Sequence, residues 1–299
     1  MPHRERASIK KELTPPFRVH APCEQTAPFV LCSPHSGRVY PEHFLAQSRL
    51  DPLALRKSED GYVDELFRHV AEFGAPLIAA RFPRAYLDLN REAYELDPEL
   101  FDTPLPDYAN TQSVRVVGGL GTIARIVADG EEIYRKRMPL GVAIERIEQL
   151  YLPFHAALTK LLDETRAQFG YSILIDCHSM PSASSMPSGA RRPDFVLGDR
   201  FGASCDSRLT RFTRDVLTGL GYDVQLNRPY AGGYITEHYG RPSRRAHALQ
   251  IEINRGLYLE EATMSPTAGF VELERHLMIL TGRLIKEFPL LIERRSAAE

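Results

Sequence analysis

The sequence predicts a single α/β domain: a mostly parallel, twisted mixed sheet with helices on both faces. Short apolar runs bounded by turn residues alternate with longer amphipathic stretches, which indicates strands that alternate with helices. Several runs are apolar on both faces, as expected for strands that helices cover on each side. No repeat, low-complexity tract or Gly/Ser linker divides the 299 residues.

The predicted strands are short and apolar: Phe29–Cys32, Pro76–Ala80, Tyr171–Cys177, Asp194–Leu197, Tyr222–Leu226 and His247–Ile253. The predicted helices are longer: Asp64–Phe73, Ile144–Phe169, Ser204–Leu220 and Ala268–Lys286. Gly170 and Gly221 stand where helix C-caps belong. Pro153 should kink or split the second helix, because proline lacks the amide hydrogen. Residues 103–140 should form loops and short helices, and could form a flap over the site.

Composition and charge exclude several classes of function. With 37 basic and 39 acidic residues the net charge is −2, which favours neither nucleic acid nor an anionic membrane as a partner. No apolar run approaches the roughly 18–20 residues that span a bilayer. The four cysteines form no CxxC pair, which predicts reduced thiols and a cytoplasmic protein. The basic, polar start predicts a flexible arm over residues 1–24, ahead of one domain over 25–299. The oligomeric state stays open.

Chemistry-bearing side chains follow three of the predicted strands. His35 follows the first strand by three residues, His178 follows the third directly, and Glu252 lies near the end of the last. In open α/β sheets, ligand sites lie beyond the carboxyl ends of the strands. We therefore expect two imidazoles and a carboxylate at one edge of the sheet.

The two histidine motifs, CSPHSG at 32–37 and LIDCHSMPS at 174–182, favour a metal site over strand-end hydrogen bonding. A polar run straight after an apolar strand costs burial, which a metal ligand would justify, and Asp176 could orient a ligating ring. Catalytic zinc usually takes three protein ligands and a water. KSEDGYVDEL at 57–66 offers several candidates for the third: Glu59, Asp60, Asp64 and Glu65. Acidic residues at a helix start are also typical of capping.

A cluster of guanidinium groups lies in RFPRAYLDLNRE at 81–92, which we expect to be a short strand-like segment. It contains Arg81, Arg84, Arg91 and Asn90. Guanidinium forks match carboxylates bidentately, so this cluster suits a substrate with a free carboxylate. The alternative is a set of surface salt bridges.

Two further motifs carry candidate residues. In ALQIEINRGLY at 248–258, Glu252 should share a face with Gln250 and Asn254, and it suits a general base beside a metal-bound water. The alternative is a structural Glu252 paired with an arginine such as Arg255. In the motif NRPYAGGYITEHYGRP at 227–242, the glycines permit close backbone approach and the tyrosines could line a pocket: Gly232, Gly233, Tyr230 and Tyr234.

Taken in order over residues 28–260, the motifs resemble the N-formylglutamate amidohydrolases. The matching stretches are SPHSG, the DxxVDxL pattern at 60–66, R-x-x-x-D-x-N-R at 84–91, GLGTI at 119–123, LIDCHSMPS, DFVLGDRFG at 194–202, RPYAGGYIT at 228–236 and LQIEINRGLY at 249–258. The family is related to zinc carboxypeptidases and aspartoacylases, so the resemblance implies a carboxypeptidase-like fold. It also implies one bound zinc, or another divalent ion, and a place in histidine catabolism.

The resemblance implies a role for each matching residue. His35 and His178 become metal ligands, Glu252 the general base and Arg84 the group that polarises the carbonyl. Asn90 and Arg91 become the carboxylate clamp, with Tyr230, Gly232 and Gly233 as further substrate-binding residues. Carboxypeptidase relatives carry an acidic ligand in HxxE, but that slot here holds Arg38. The resemblance places the acidic ligand at Asp60, with Glu59 as the alternative.

The expected activity is hydrolysis of N-formyl-L-glutamate, or a similar small N-acyl amino acid, to formate and the amino acid. Two alternatives stay open at this point. One is a deacylase of another N-acyl amino acid or a small carboxypeptidase-like peptidase. The other is a non-catalytic protein that keeps the pocket and binds a carboxylate ligand without the metal.

Overall fold

The protein's structure, a computed structural model, describes residues 2–127, 130–182 and 192–296, with side chains over 3–127, 130–182 and 192–289. Its strands are β1 (Phe17–His20), β2 (Phe29–Ser33), β3 (Leu77–Ala80), β4 (Ser172–Met180), β5 (Phe195–Gly198), β6 (Val224–Leu226), β7 (Ala246–Asn254), β8 (Leu259–Glu260) and β9 (Ser265–Pro266). The first seven form one sheet in the order β1-β3-β2-β4-β7-β5-β6, and β8 pairs with β9. β2, β4 and β7 are parallel neighbours, whereas β5 runs antiparallel to β7. The predicted α/β class with a mixed sheet is confirmed.

Along the described residues, helices precede, separate and follow the strands of this sheet. They are α1 (Pro2–Glu12), α2 (Glu42–Gln47), α3 (Pro52–Arg56), α4 (Val63–Phe67), α5 (Val114–Val117), α6 (Leu140–Arg146), α7 (Leu152–Phe169), α8 (Ser207–Gly219), α9 (Tyr234–Tyr239) and α10 (Gly269–Ser296). Short 3-10 turns cover Arg68–Phe73, Pro98–Leu100, Pro242–Arg244 and Arg255–Leu257. None of the described helices combines the length and the apolar character that a membrane span requires.

Several boundaries follow from local chemistry. The predicted helix over 144–169 is split by a π-helical turn at Ile147–Tyr151, just before Pro153, whose missing amide hydrogen opens the helical ladder. Gly170 (φ +80°) and Gly221 (φ +96°) end α7 and α8 in the left-handed region, as predicted. Over residues 103–127 and 130–140 the structure has mainly loops and turns, with the one-turn α5.

By its contacts the chain forms two compact units, each assembled from separate stretches of sequence. One contains Met1–Arg18, Pro34–Gly61 and Ala79–Leu158, and the other contains Val19–Ser33, Tyr62–Ile78 and Thr159–Glu299. The second unit has an apolar core in which β4 and β7 pack against α4, α8 and α10. The single domain over residues 25–299 stays a prediction.

The pairing of β4 with β7 separates a core face from a polar face. Cys177 pairs with Ile251, and both side chains belong to the apolar core. His178 pairs with Glu252, and because strand side chains alternate, this pair lies on the opposite face. The short helix α9 packs on these same two strands. β4 extends to Met180, so His178 lies inside the strand rather than just after it.

The structure corrects the prediction of a flexible arm over residues 1–24. Pro2–Glu12 is a helix, and Glu5, Ile9 and Leu13 are each no more than 3% exposed. The basic composition of this segment obscured its apolar positions, Ile9 and Leu13, which lie one helical turn apart and are buried. β1 was also missed, because its four residues are only half-buried or exposed.

Candidate active site

His35 lies on a tight turn just beyond β2. The backbone amide of Asp60 donates to the carbonyl of His35 at 3.0 Å, which fixes the two residues against each other. Gly37 allows the turn to pack directly on the next segment, because a Cβ there would overlap the carbonyl oxygen of Phe82. The glycine two residues after His35 in the SPHSG motif therefore has a steric reason.

The ring of His35 is held by two buried carboxylates. Its Nε2 lies 2.8 Å from Oδ1 of Asp88, and its Nδ1 lies 3.4 Å from Oδ2 of Asp60. Because an ionised carboxylate only accepts, Nε2 carries the proton and donates to Asp88. In the neutral ring this leaves the lone pair of Nδ1 directed toward Asp60. Two electron-pair donors at this separation suit a shared cation.

Asp88 organises the cationic segment, although the sequence analysis assigned it no role. Arg84 Nε lies 2.9 Å and Arg91 Nη2 3.4 Å from its Oδ2, and the amide of Asn90 donates to its Oδ1 at 2.8 Å. Burial alone would raise the pKa of Asp88, but the charges of Arg84 and Arg91 and the hydrogen bond from His35 outweigh it and hold the pKa well below the usual value. The carboxylate therefore stays ionised.

The segment around Asp88 consists of turns, which corrects the prediction of a strand-like stretch. Arg91 is 3% exposed; its Nε donates to the carbonyl of Leu120 at 2.8 Å and its Nη1 to the carbonyl of Asn90 at 2.7 Å. These bonds fix the Arg91 side chain to the backbone at Asn90 and Leu120. Burial lowers the pKa of Arg91 to about 10, against the opposing effect of Asp88.

The two adjacent acids, Glu59 and Asp60, have different partners. Tyr40 donates to Oε1 of Glu59 at 2.6 Å, and Nε of Arg56 lies 3.2 Å from both of its oxygens. Glu59 thus belongs to a local ion pair. Asp60, 1% exposed, instead turns its carboxylate to His35. This difference favours Asp60 as the acidic ligand, as the resemblance implied.

On the polar face of the sheet, β4 and β7 set four side chains in register. Asp176 pairs with Gln250 and His178 with Glu252, and all four are at most 8% exposed. His178 Nε2 lies 2.9 Å from Oδ1 of Asp176, which places the carboxylate where it can orient the ring. Nε2 of Gln250 donates to Oε1 of Glu252 at 3.0 Å.

The glycine-rich loop before α9, together with the first turn of α9, donates hydrogen bonds to Gln250 and Asp176. The amide of Gly233 donates to Oε1 of Gln250 at 2.8 Å, so Gly233 acts on Glu252 through Gln250. Gly232 has a φ of +114°, a value that favours glycine. Thr236 donates to Oδ2 of Asp176 at 3.2 Å. Tyr230 is half-buried in the same loop.

Three of the predicted ligands come together. One ligand atom each of His35, Asp60 and His178 lie within 4.8 Å of one another, and all three side chains are buried. Two imidazoles and a carboxylate are a donor set that zinc accepts, and a set of three protein ligands leaves one coordination position for a water. This buried group can therefore bind a metal ion.

The fold and these side chains define an α/β protein with a candidate metal centre beside a buried glutamate, the arrangement of a metal-dependent hydrolase. A sequence model described as N-formylglutamate amidohydrolase matches residues 27–259. The chain is 31% identical to the N-formylglutamate deformylase of Pseudomonas putida, over 78% of this chain and 82% of that protein. It is 32% identical to the N-formylglutamate deformylase of Pseudomonas aeruginosa, over 78% and 83%.

Solved structures agree with the sequence comparisons. The crystal structure of N-formylglutamate amidohydrolase from Ralstonia eutropha JMP134 superposes with a TM-score of 0.86 at 36% identity, over 91% of this chain and 97% of that chain. A gene product of Agrobacterium tumefaciens, 18% identical, shares the fold with a TM-score of 0.66, over 91% and 96%. The chain belongs to the N-formylglutamate amidohydrolase family, so the resemblance stated from the motifs is confirmed.

Proposed function

We propose that the protein is a metal-dependent amidohydrolase that acts on N-formyl-L-glutamate or a similar N-acyl amino acid. The metal is a divalent ion, and zinc suits the ligands best. Water cleaves the amide bond, so that N-formyl-L-glutamate becomes formate and glutamate. The observation that carries this proposal is the buried group of His35, Asp60 and His178 in a member of this family. The relatives named N-formylglutamate deformylase support the choice of substrate.

The donor set fits a metal. The proton on Nε2 of His35 is engaged by Asp88, which leaves the lone pair of Nδ1 toward Asp60. His35, Asp60 and His178 would hold the ion, and nitrogen with carboxylate ligands suits zinc. When bound, the ion would polarise the acyl carbonyl and lower the pKa of a water to about 7. A pseudoenzyme would need no such donor set.

Glu252 is the proposed general base. It takes a proton from the attacking water and returns it to the leaving amine. The bond from Gln250 orients one carboxylate oxygen, and Gly233 in turn holds Gln250. The register places Glu252 beside His178, so that base and ligand come from neighbouring strands.

Arg84 is the proposed stabiliser of the oxyanion, and its side chain keeps 28% exposure while its Nε is bound to Asp88. Asn90 and Arg91 are the proposed clamp for the substrate carboxylate. Two nitrogens of Arg91 are committed to backbone carbonyls and Nη2 lies 3.4 Å from Oδ2 of Asp88, so we assign the second N–H of Nη2 to substrate. Tyr230 and Gly232 are proposed to line the substrate site, with Gly233 acting through Gln250.

The test combines metal analysis with hydrolysis assays. We expect about one divalent ion per chain, and hydrolysis of N-formyl-L-glutamate that exceeds that of the N-acetyl and N-succinyl compounds. Amidating the α-carboxylate should cost about 2–5 kcal/mol of transition-state binding, as for truncating one partner of a buried charge pair. Equal turnover of the acid and its amide would contradict the proposed role of Asn90 and Arg91 as a carboxylate clamp. No turnover of any N-acyl amino acid by the metal-loaded protein would refute the proposed function. The small-molecule partner and the cytoplasmic location stay predictions.

A further inference from the structure

A cleft of about 400 Å³ carries a cluster of cations that the proposed function does not use. It is lined by Arg49, Arg125, Arg135, Lys136 and Arg137, together with two glutamates, Leu100 and Tyr134. No residue assigned to the candidate active site is among them. Its lining has an excess of three positive charges, although the whole chain has a net charge of −2.

The two glutamates of the cleft neutralise two of its five cations. Glu132 lies 2.9 Å from Nη1 of Arg49, and Glu99 lies 3.2 Å from Nη2 of Arg125. Asp97, 2.7 Å from Nε of Arg125, completes that second pair. Among the described side chains, the other three cations have no carboxylate within ion-pair distance: Arg135, Lys136 and Arg137.

The backbone that presents these three cations is fixed on both sides. The amide of Arg135 donates to the carbonyl of Gln47 at 3.1 Å, and the amide of Met138 donates to the carbonyl of Leu100 at 2.9 Å. Tyr134 and Met138, on either side of the three cations, are buried. The charges therefore share one cleft because the fold holds them there, despite their mutual repulsion.

We propose that this cleft is a second ligand site, which binds a small anion with at least two negative charges. Guanidinium groups match the oxygen pairs of phosphate, sulfate and carboxylate, and several of them favour a multivalent anion. A cleft of this volume accepts a compact phosphorylated or polycarboxylic metabolite rather than a polymer. The site goes beyond the proposed hydrolysis and does not depend on it.

Isothermal titration of the full-length protein tests the site with sodium phosphate, sodium sulfate and trisodium citrate, against sodium chloride at matched ionic strength. The wild type should bind the multivalent anions saturably and show no saturable response to chloride. A response to phosphate and sulfate alone assigns a phosphate-type ligand, and a response to citrate alone assigns a polycarboxylate. Arg135→Gln/Arg137→Gln should weaken binding by about tenfold or more, because each arginine supplies a charge-assisted hydrogen bond.

Two controls separate a built site from general electrostatics. Lys10→Gln/Lys11→Gln removes two adjacent exposed cations of α1 with the same change of net charge, and it should bind anions as the wild type does. Any hydrolysis of N-formyl-L-glutamate should be equal in all three proteins, so binding at the active site cancels in the comparison. The single variants Arg135→Gln and Arg137→Gln, each weaker by severalfold, serve if the double variant folds poorly. Undiminished binding without the two arginines, an equal loss in the lysine variant, or no saturable binding in the wild type would overturn the proposal.

Discussion

Asp88 binds three side chains and one backbone amide through its two carboxylate oxygens. Its Oδ1 accepts from His35 and from the amide of Asn90, and its Oδ2 faces Arg84 and Arg91. The sequence contained the signal, since Asp88 stands four residues after Arg84 and three before Arg91. The spacing alone does not show which partner a carboxylate takes, because these positions lie on turns rather than on a helix. Only the tertiary contact with His35, 53 residues away, identifies its role.

Replacing Asp88 by Asn should separate positioning from folding. With its oxygen at the position of Oδ1, the amide can still accept from Asn90 and from His35, but it carries no charge to strengthen the His35 bond, and it turns an NH2 group toward the two arginines in place of Oδ2. We expect metal affinity or kcat/KM to fall by about 10–100-fold, the usual range for a group that orients a ligand. Asp97→Asn is the matched control, because Asp97 is equally buried and pairs with Arg125 outside the site. An equal loss of activity in both variants would show that Asp88 has only a structural role.

Substitutions of the neighbouring residues Asp60 and Glu59 can show which of the two is the acidic metal ligand. Asp60→Asn should weaken metal binding, measured by competition with a chelating dye, by at least about tenfold. Glu59→Gln should leave metal binding near wild type, because Tyr40 and Arg56 already occupy its carboxylate. The reverse order of effects would move the ligand to Glu59.

Glu252 should behave as a catalytic rather than a structural glutamate. Its Oε1 accepts from the neutral amide of Gln250, and Gln at position 252 can still accept this bond. We therefore expect Glu252→Gln to keep its metal and thermal stability while kcat falls by at least ~10²-fold. Loss of stability by several kcal/mol with a normal kcat would instead make Glu252 a member of a buried ion pair.

Helix α1 is the element on which sequence reasoning failed most clearly. Its Glu5 accepts from Nε of Arg146 at 2.6 Å, from Tyr86 at 2.5 Å and from His43 at 2.5 Å. Arg146 in turn donates to the carbonyl of Tyr86, two residues before Asp88. A single buried charge in a basic, polar segment has no periodic signature. The sequence therefore could not show that α1, through Glu5, binds the segment that contains Tyr86 and Asp88.

Glu5→Gln should destabilise the protein by roughly 3 kcal/mol at pH 7, because it leaves the buried charge of Arg146 without its partner. The neighbouring pair of Arg6 and Glu145 joins the same two helices at the surface, with Arg6 47% exposed. Glu145→Gln should therefore cost less than about 1 kcal/mol. Urea unfolding of the three proteins measures both values, and equal losses would show that burial does not strengthen the Glu5 pair.

The difference in unfolding free energy between wild type and Glu5→Gln should depend on pH. Burial would raise the pKa of Glu5, but Arg146 and the bonds from His43, Tyr86 and Arg146 lower it to about 2. A depressed folded pKa stabilises the protein above the unfolded value near 4.5, and this stabilisation is lost as pH falls toward 2. The difference in unfolding free energy between wild type and Glu5→Gln should therefore shrink between about pH 4.5 and 2. A difference that stays constant over this range would contradict the shift.

At the scale of the whole molecule, periodicity predicted the sheet well because its central strands are buried. All six predicted strands are present, since ILID and similar runs must be covered on both faces. The rule that sites follow strand ends selected the two histidines and the glutamate as candidates. The choice of Asp60 as the candidate for the third ligand required the resemblance, because Asp60 lies in a loop whose sequence equally suits a helix cap. The approach of segments distant in sequence, such as His35 and Asp88, is a property of packing that no local pattern encodes.

Metal binding should also stabilise the whole chain, because the three proposed ligands are separated by long stretches of sequence and do not gather when the chain is unfolded. A ligand that binds only the native state adds about 2.7 kcal/mol at a concentration 100 times its dissociation constant. For a chain of this size that corresponds to a rise in Tm of roughly 5 °C. Differential scanning fluorimetry of EDTA-treated protein, with and without added zinc, measures it. His178→Ala should abolish the shift, whereas His276→Ala should retain it, because His276 contacts Tyr222 and lies outside the ligand group. An undiminished zinc shift in His178→Ala would place the metal elsewhere in the protein.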